Sequence, residues 1–355
     1  MKNVLLLHPP LLFYKVRIYN SLHRELAKRG YTLYVWATHI QEGSDPALFQ
    51  YINRPMTAKN LIAITRQYKI SIFINIMSKT TTTLLFYCFS ILYAKITNIN
   101  NIYYGHGLDL SMRNNFLKKW LQNAFHLAFD RILLYSEEQC KYLWRMHAKK
   151  IFIAQNTLIL NGYTRFDGTS IKDIKNKYGI CEDSLVLFSG RISKRKNFHL
   201  LLEIFQSDFA GSAEVGFVVV GPGLPERYES VIGKYNNFHY LGPVYDVEKM
   251  NEIFHMSDLF CVPGSLGLGI VEAMYWGLPV LTLDALHGPE AMYLRNGHNG
   301  FILKNIDEIA KMISYLFENR KLLNFLGENA RATIESEAGI EKMFGGFYQV
   351  LASLQ

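Results

Sequence analysis

Leu259-Phe260-Cys261-Val262-Pro263-Gly264-Ser265-Leu266-Gly267-Leu268-Gly269-Ile270-Val271-Glu272-Ala273-Met274 is the stretch that decides the fold. A short apolar run, Leu259–Val262, leads into a glycine-rich turn and then into a helical period opening at Gly269. The run has no polar alternation, as in a strand buried on both faces. Backbone N–H groups at a helix N-terminus bind phosphate oxygens, and glycines let the ligand approach the chain. Glu272 falls in the first turn of the helix, where the helix dipole favours a carboxylate, and it is placed to accept bonds from ribose hydroxyls. A capped helix whose glycines serve only the turn is the plainer alternative.

Upstream, Ser189-Gly190-Arg191-Ile192-Ser193-Lys194-Arg195-Lys196-Asn197 repeats the arrangement of buried strand, glycine turn and helix. Cations crowded into one loop repel each other, and a bound anion would relieve them. Arg offers phosphate a bidentate fork and Lys a point charge. A solvated basic turn is the competing reading.

Further outward, apolar runs alternate with helical periods along the whole chain. Strands are read at Val4–His8, Thr32–Thr38, Ser71–Ile76, Ile102–Gly105, Arg131–Tyr135 and Ile151–Ala154, with helices between them at Ile18–Arg29, 58–68, Thr81–Ile96, Phe116–Ala128 and Glu137–Met146. Residues 161–180, with Asn161, Gly162, Gly168 and a lysine-rich stretch, read as a junction. A second series follows, with strands at Leu185–Ser189, Val215–Val220, His239–Leu241, Leu259–Val262 and Val280–Leu283 and helices between and after them, and the chain closes on an amphipathic helix from Ile340 to Leu354. Strands and helices alternating at this spacing imply an α/β fold of two doubly wound parallel sheets. Ligands of such sheets bind beyond the carboxyl ends of the strands, so a ligand is expected in the cleft between the domains.

The chain has 355 residues, of which 49% are hydrophobic and 19% charged, which excludes a disordered or fibrous class. Charge is uneven: residues 1–165 carry 21 Lys+Arg against 7 Asp+Glu, and the remainder carries 17 against 23. A basic first half suggests an anionic partner, either a phosphorylated acceptor or a membrane surface. No basic-aromatic cluster points to nucleic acid. Cys88, Cys140, Cys181 and Cys261 are far apart, which argues against a zinc site or a disulfide framework and fits a reducing compartment. Thr80–Ala94, the longest uncharged segment, falls short of the ~20 apolar residues a spanning helix needs. Phe116-Leu117-Lys118-Lys119-Trp120 reads equally well as an interfacial membrane contact and as a solvated helix face.

The two loops together resemble the retaining glycosyltransferases of family four, which have the GT-B fold of two Rossmann-like domains. In that family a G-R-x-x-x-x-K segment gives an arginine and a lysine to the donor diphosphate; here these are Arg191 and Lys196, after Gly190. Leu241-Gly242-Pro243-Val244 matches a strand whose backbone lies near the base, Ser257–Pro263 matches S/A-D-x-x-x-x-P, and Gly267-Leu268 through Glu272-Ala273-Met274 to Gly277-Leu278-Pro279-Val280 matches the glutamate motif. Asn299-Gly300-Phe301 is similar to an N-G-x turn. One departure stands out. Where most of the family carries a first, sugar-contacting glutamate, this chain has Gly264, within a P-G-x-x-G-L pattern including Leu266, and a later His287-Gly288-Pro289-Glu290. The resemblance leaves His287 and Glu290 as candidate sugar contacts.

In the first domain the resemblance places His106, after the strand ending at Gly105, near the sugar and the acceptor. Tyr14, Lys15 and Arg17, read in the first strand-to-helix loop, together with Asp109 and Asn156, are implied on the acceptor side. It further implies an acceptor domain over 1–165, a nucleotide-sugar domain over 166–338, and a C-terminal helix over 339–355 packing back on the first. The implied activity is retaining transfer from a nucleotide-diphosphate sugar to a lipid-linked or polysaccharide acceptor in bacterial surface glycan assembly, at the cytoplasmic face of the inner membrane. No D-x-D is present, so Arg191, Lys196 and the helix N-terminus are expected to neutralise the leaving group without a metal or other cofactor. A sugar-nucleotide epimerase and a non-catalytic sugar-nucleotide-binding subunit are the rivals.

Overall fold

The computed structural model describes residues 2–8, 10–42, 44–76, 81–108, 115–160 and 170–354, the side chains of 81–83 excepted. The chain divides into two compact units, Met1–Ile159 with Ile340–Gln355, and Leu160–Gly339.

Unit 1 begins with β1 (Lys2–His8), α1 (Phe13–Ala27), β2 (Tyr31–Ala37), β3 (Gln50–Ile52) and α2 (Ala58–Gln67). It continues with β4 (Ile70–Asn75), α3 (Thr81–Ile96), β5 (Asn100–Gly105), α4 (Phe116–His126), β6 (Arg131–Leu134) and β7 (Ile151–Ile153). The strands form one parallel sheet in the order β3-β2-β1-β4-β5-β6-β7. Central β1 has no polar face because both of its faces are covered. Val4 and Leu6 enter one core layer with α1, while Leu5 and Leu7 enter the other with α2 and α3. Each such fully buried Leu contributes about 1.5–3 kcal/mol over an exposed one.

Unit 2 begins with α5 (Ile171–Lys177), β8 (Ser184–Ser189), α6 (Phe198–Ile204), β9 (Val215–Val220), α7 (Glu226–Ile232) and β10 (Phe238–Tyr240). After these come α8 (Val247–Met256), β11 (Leu259–Cys261), α9 (Gly269–Tyr275), β12 (Val280–Leu283), β13 (Gly300–Leu303), α10 (Ile306–Glu318) and α11 (Arg320–Glu337). Its strands are again all parallel, in the order β10-β9-β8-β11-β12-β13. The strand order reverses between β8 and β11, so the loops after these two strands meet at the switch point of the sheet. The last helix, α12 (Ile340–Ala352), belongs to unit 1. Phe347, Val350 and Leu351 join the layer of Val4 and Leu6, and the backbone at Gly346 packs on the Ile153 carbonyl. Arg131 clamps the chain end, donating from Nε to Ser353 Oγ at 2.9 Å and from Nη2 to the Ser353 carbonyl at 2.7 Å.

The structure departs from the expected elements at several places. The helix read at Glu137–Met146 is two 3-10 helices, Glu137–Tyr142 and Arg145–Lys150. They are separated by extended Leu143 and Trp144, because Asn123 Oδ1 accepts the Trp144 N–H from outside the segment. Helix α1 starts at Phe13, so Tyr14, Lys15 and Arg17 lie on a helix and not in a loop. The lysine-rich part of the 161–180 junction forms α5, and Gly300 of the expected N-G-x turn opens strand β13. Strand β3, three residues long, carried no pattern to read. No helix among the described residues is long and apolar enough to cross a membrane.

Candidate active site

The loops after β8 and β11 form one bonded assembly. Gly190 N–H donates to the Val220 carbonyl and Ile192 N–H to the Pro222 carbonyl, both at 2.9 Å, which fixes the first loop to the end of β9. A short 3-10 turn over Lys194–Lys196 then brings the chain to Asn197, whose left-handed backbone (φ 50°) starts α6. The Arg195 carbonyl accepts the Ser265 N–H at 2.7 Å, Arg195 Nη2 donates to Ser265 Oγ at 3.4 Å, and Asn197 Nδ2 donates to the Pro263 carbonyl at 3.4 Å. Thr282, from β12, donates to the Val262 carbonyl at 2.8 Å and steadies the second loop from behind.

Gly264 explains why the loops can meet. A Cβ on Gly264 would lie 2.7 Å from the Lys196 carbonyl oxygen and would also collide with the Arg195 carbonyl. The residue is buried, and its position admits no side chain at all. The contact fixes the Lys196 backbone, and the Lys196 side chain then runs across the two glycine turns. Its Nζ would be 3.8 Å from a Cβ on Gly190 and 3.9 Å from a Cβ on Gly267. Burial pushes the Lys196 ammonium down to about 8; Glu290 opposes this by attraction and Arg195 adds to it by repulsion.

The backbone cradle lies beside this ammonium. Ile270 N–H donates to the Gly267 carbonyl at 3.0 Å and Val271 N–H to the Leu268 carbonyl at 2.9 Å, which closes the first turn of α9. The amides of Gly267, Leu268 and Gly269 have no acceptor among the described residues. Leu268 gives α9 no side-chain cap. Such a set of amides next to an ammonium suits an anion. Glu272 is half-buried in the first turn of α9. Arg191 is exposed, directly after Gly190, and its guanidinium has no hydrogen-bond or ion-pair partner among the described residues. Val244 is half-buried beyond β10, on a segment tied to the end of β9 by the Gly221 N–H bond to the Gly242 carbonyl at 2.9 Å.

His287 is engaged through both ring nitrogens. Nδ1 accepts the Leu266 N–H at 3.2 Å, which puts the proton of the neutral ring on Nε2, 3.0 Å from the Leu283 carbonyl. Burial lowers its pKa and helps to keep it neutral. Gly288 N–H donates to the Leu266 carbonyl at 3.1 Å, so buried Leu266 is held by both its backbone groups. His287 therefore anchors the glycine-rich turn to the end of β12, and the Glu290 carboxylate of the same segment attracts the Lys196 ammonium.

In unit 1, His106 is exposed at the end of β5, and its ring stands edge-on to Tyr135, with centroids 4.9 Å apart. Gln139 orients it. Gln139 Oε1 accepts the Tyr135 N–H at 3.2 Å, which turns its amide nitrogen to His106 Nδ1 at 3.2 Å. His106 Nδ1 is thus an acceptor, and Nε2 carries the proton when the ring is neutral. Nothing in the sequence marked Gln139, because its partners are close only after folding. Lys15 is buried, donates to Asn156 Oδ1 at 3.3 Å, and lies 5.6 Å from the Tyr14 ring centre and 5.7 Å from that of Tyr135. Arg17 points elsewhere, pairing through Nε with Asp45 at 2.8 Å. Asp109 lies outside the described residues.

Residues 170–333, nearly all of unit 2, match the family model described as glycosyl transferases group 1. The chain is 26% identical over 184 residues to an uncharacterized glycosyltransferase of Haemophilus influenzae, a match covering 48% of this chain and 49% of that protein. It is 24% identical over 231 residues to an uncharacterized 41.2 kDa protein in the cps region of Klebsiella pneumoniae, covering 61% of each. The chain thus spans about half to three-fifths of the length of these curated relatives. Among solved structures, sucrose-phosphate synthase from Thermosynechococcus elongatus superposes with a TM-score of 0.77 at 15% identity, covering 100% of this chain and 99% of that one. Anabaena HepE in complex with UDP-glucose gives 0.75 at 16% identity, covering 99% and 100%. Superposition on such structures over the whole chain shows the GT-B fold of two Rossmann-like parallel sheets, and across residues 170–333 the second unit resembles the group 1 glycosyl transferases.

Proposed function

We propose that the protein is a retaining glycosyltransferase that moves a sugar from a nucleotide-diphosphate sugar to a hydroxyl acceptor. The observation that carries this reading is the Lys196 ammonium lying over Gly190 and Gly267, next to the unpaired amides of Gly267, Leu268 and Gly269. This is a cradle for a diphosphate, and HepE, with the same fold, was solved with UDP-glucose. Arg191 and Lys196 take up charge as the sugar–phosphate bond breaks, in place of a metal ion. Glu272 receives ribose hydroxyls, Val244 lies along the base, and Glu290 faces the sugar.

In the transfer step the bond between the anomeric carbon and the leaving phosphate oxygen breaks, and the acceptor oxygen bonds to the same carbon from the same face. The acceptor proton passes to the departing phosphate oxygen, because Gly264 leaves no carboxylate there to take it. His106, oriented by Gln139, hydrogen-bonds the sugar through Nε2. Lys15, Tyr14 and Asn156 line the acceptor side, where the positive charge of unit 1 suits an anionic, lipid-linked acceptor. The relative from a cps region supports a setting in surface-polysaccharide assembly, and a lipid-linked acceptor would put the reaction at the inner face of the membrane.

A hydrolysis assay over a panel of nucleotide-diphosphate sugars tests the reading. Slow release of a nucleoside diphosphate from one donor is expected. Conversion of the sugar without release would indicate an epimerase, and binding without either product would indicate a non-catalytic subunit.

A further inference from the structure

Helices α3 and α4 lie on the same face of the unit 1 sheet and share a core layer that includes Ile91, Tyr103, Phe125 and Phe129. Their outer surfaces are apolar as well. On α3, Leu85 and Ile96 are 71% and 72% exposed, and Leu92 lies between them on one stripe. On α4, Phe116 and Leu117 are 82% and 64% exposed, and Trp120 and Leu121 continue the same side one turn on. Helix α2, the neighbour of α3, behaves as a water-facing helix should and exposes Lys59, Arg66 and Gln67.

Cations surround this apolar face. Lys95 lies in the last turn of α3, Lys118 and Lys119 lie on α4, and exposed Arg145 and Lys149 flank it on the 3-10 helix adjoining Trp144, whose ring centre lies 6.1 Å from that of Trp120. Between residues 46 and 129 the sequence has one acidic residue, Asp109. Unit 1 as a whole has 21 Lys+Arg against 8 Asp+Glu. Exposed apolar side chains gathered on two neighbouring helices suit a docking surface, and the cationic border favours an anionic occupant over a second copy of the chain. α3, with 16 residues, is too short to span a bilayer, for which ~20 are needed, but it can lie in the interface with its outer side among the acyl chains.

We infer that the outer face of α3 and α4 docks on an anionic lipid bilayer, with Phe116, Leu117, Trp120 and Leu121 inserted at headgroup depth and Lys118, Arg145 and Lys149 on the phosphates. This deepens the reading of a lipid-linked acceptor, yet it rests on unit 1 alone and is measured without any sugar transfer. The full chain is floated with vesicles of phosphatidylcholine alone or with one-third phosphatidylglycerol, in parallel with the F116S/L117S variant. Both replaced side chains face solvent, so thermal melting is expected to match the parent, which checks the fold. Flotation with the anionic vesicles, weakened about tenfold or more in the variant and by high salt, is the predicted result. No flotation, equal flotation of the variant, or a self-association of the parent that the variant abolishes in the absence of lipid would each overturn the inference. Donor hydrolysis unaffected by such a failure would leave the transferase reading standing with a water-soluble acceptor.

Discussion

Gly264 packs against the backbone of Lys196 so closely that a Cβ would lie 2.7 Å from the Lys196 carbonyl oxygen. The loop that presents the ammonium and the loop that presents the amides are thereby in direct backbone contact. Gly264→Ala must push them apart, and overpacking of this kind costs about 1–3 kcal/mol. A lower melting temperature and a donor affinity reduced ~tenfold or more are expected from calorimetry. Gly264→Glu should do worse, because no room exists for the added carboxylate to reach a sugar. An active, stable Gly264→Glu variant would refute this account of the loop.

The ammonium gives a pH dependence of definite sign. With its pKa lowered to about 8, Lys196 is charged below that pH and loses its proton above it. Affinity for a nucleoside diphosphate should therefore hold near pH 7 and fall toward pH 9, by at most ~tenfold per unit. Lys196→Arg, whose charge persists at every accessible pH, should flatten the profile. Glu290→Gln removes the attraction that raises the Lys196 pKa and should move the fall to lower pH. Identical profiles in the parent and Lys196→Arg would show that another group governs binding.

Arg191 is exposed and has no partner among the described residues, so Arg191→Ala should leave the melting temperature unchanged. Loss of one charge-assisted phosphate bond, about 1.5–3 kcal/mol, corresponds to a roughly 10–100-fold drop in turnover. Steady-state kinetics at near-parental rates would contradict its proposed role at the leaving group.

His287 is predicted to act through Leu266 and not by touching the sugar. His287→Ala leaves the buried Leu266 N–H without its acceptor, a penalty of about 1–3 kcal/mol. Stability and donor affinity should fall together, whichever sugar the donor carries. A loss confined to one sugar, with melting unchanged, would point to a direct contact instead.

Turnover should survive a chelator, since the proposed leaving-group charge is met by Arg191, Lys196 and backbone amides. Loss of activity in EDTA, restored by a divalent ion, would overturn that part of the mechanism.

Much of the fold was legible because parallel strands covered on both faces leave a plain apolar signal. Val215–Val220 and Val280–Leu283 could be read to the residue. Short pieces held by tertiary bonds gave no such signal: β3 has three residues, and the break at Leu143-Trp144 depends on Asn123, about twenty positions away. The start of α1 was obscured because Leu12 has no side-chain cap and two prolines precede it. At the site, glycine turns and cations placed Gly190, Arg191, Lys196 and Gly267 on loops that the strand order brings to one sheet edge. Gln139 behind His106 and the backbone bonds of His287 could not be read, since they arise from proximity in space between residues 33 and 21 positions apart.

The most direct test is a crystal structure of the protein soaked with a nucleoside diphosphate. The account predicts the terminal phosphate within hydrogen-bonding distance of Lys196 Nζ and the amides of Gly267 and Leu268, with the Arg191 guanidinium turned onto it. A nucleotide bound anywhere else in the chain, with Lys196 still resting over bare glycines, would contradict it.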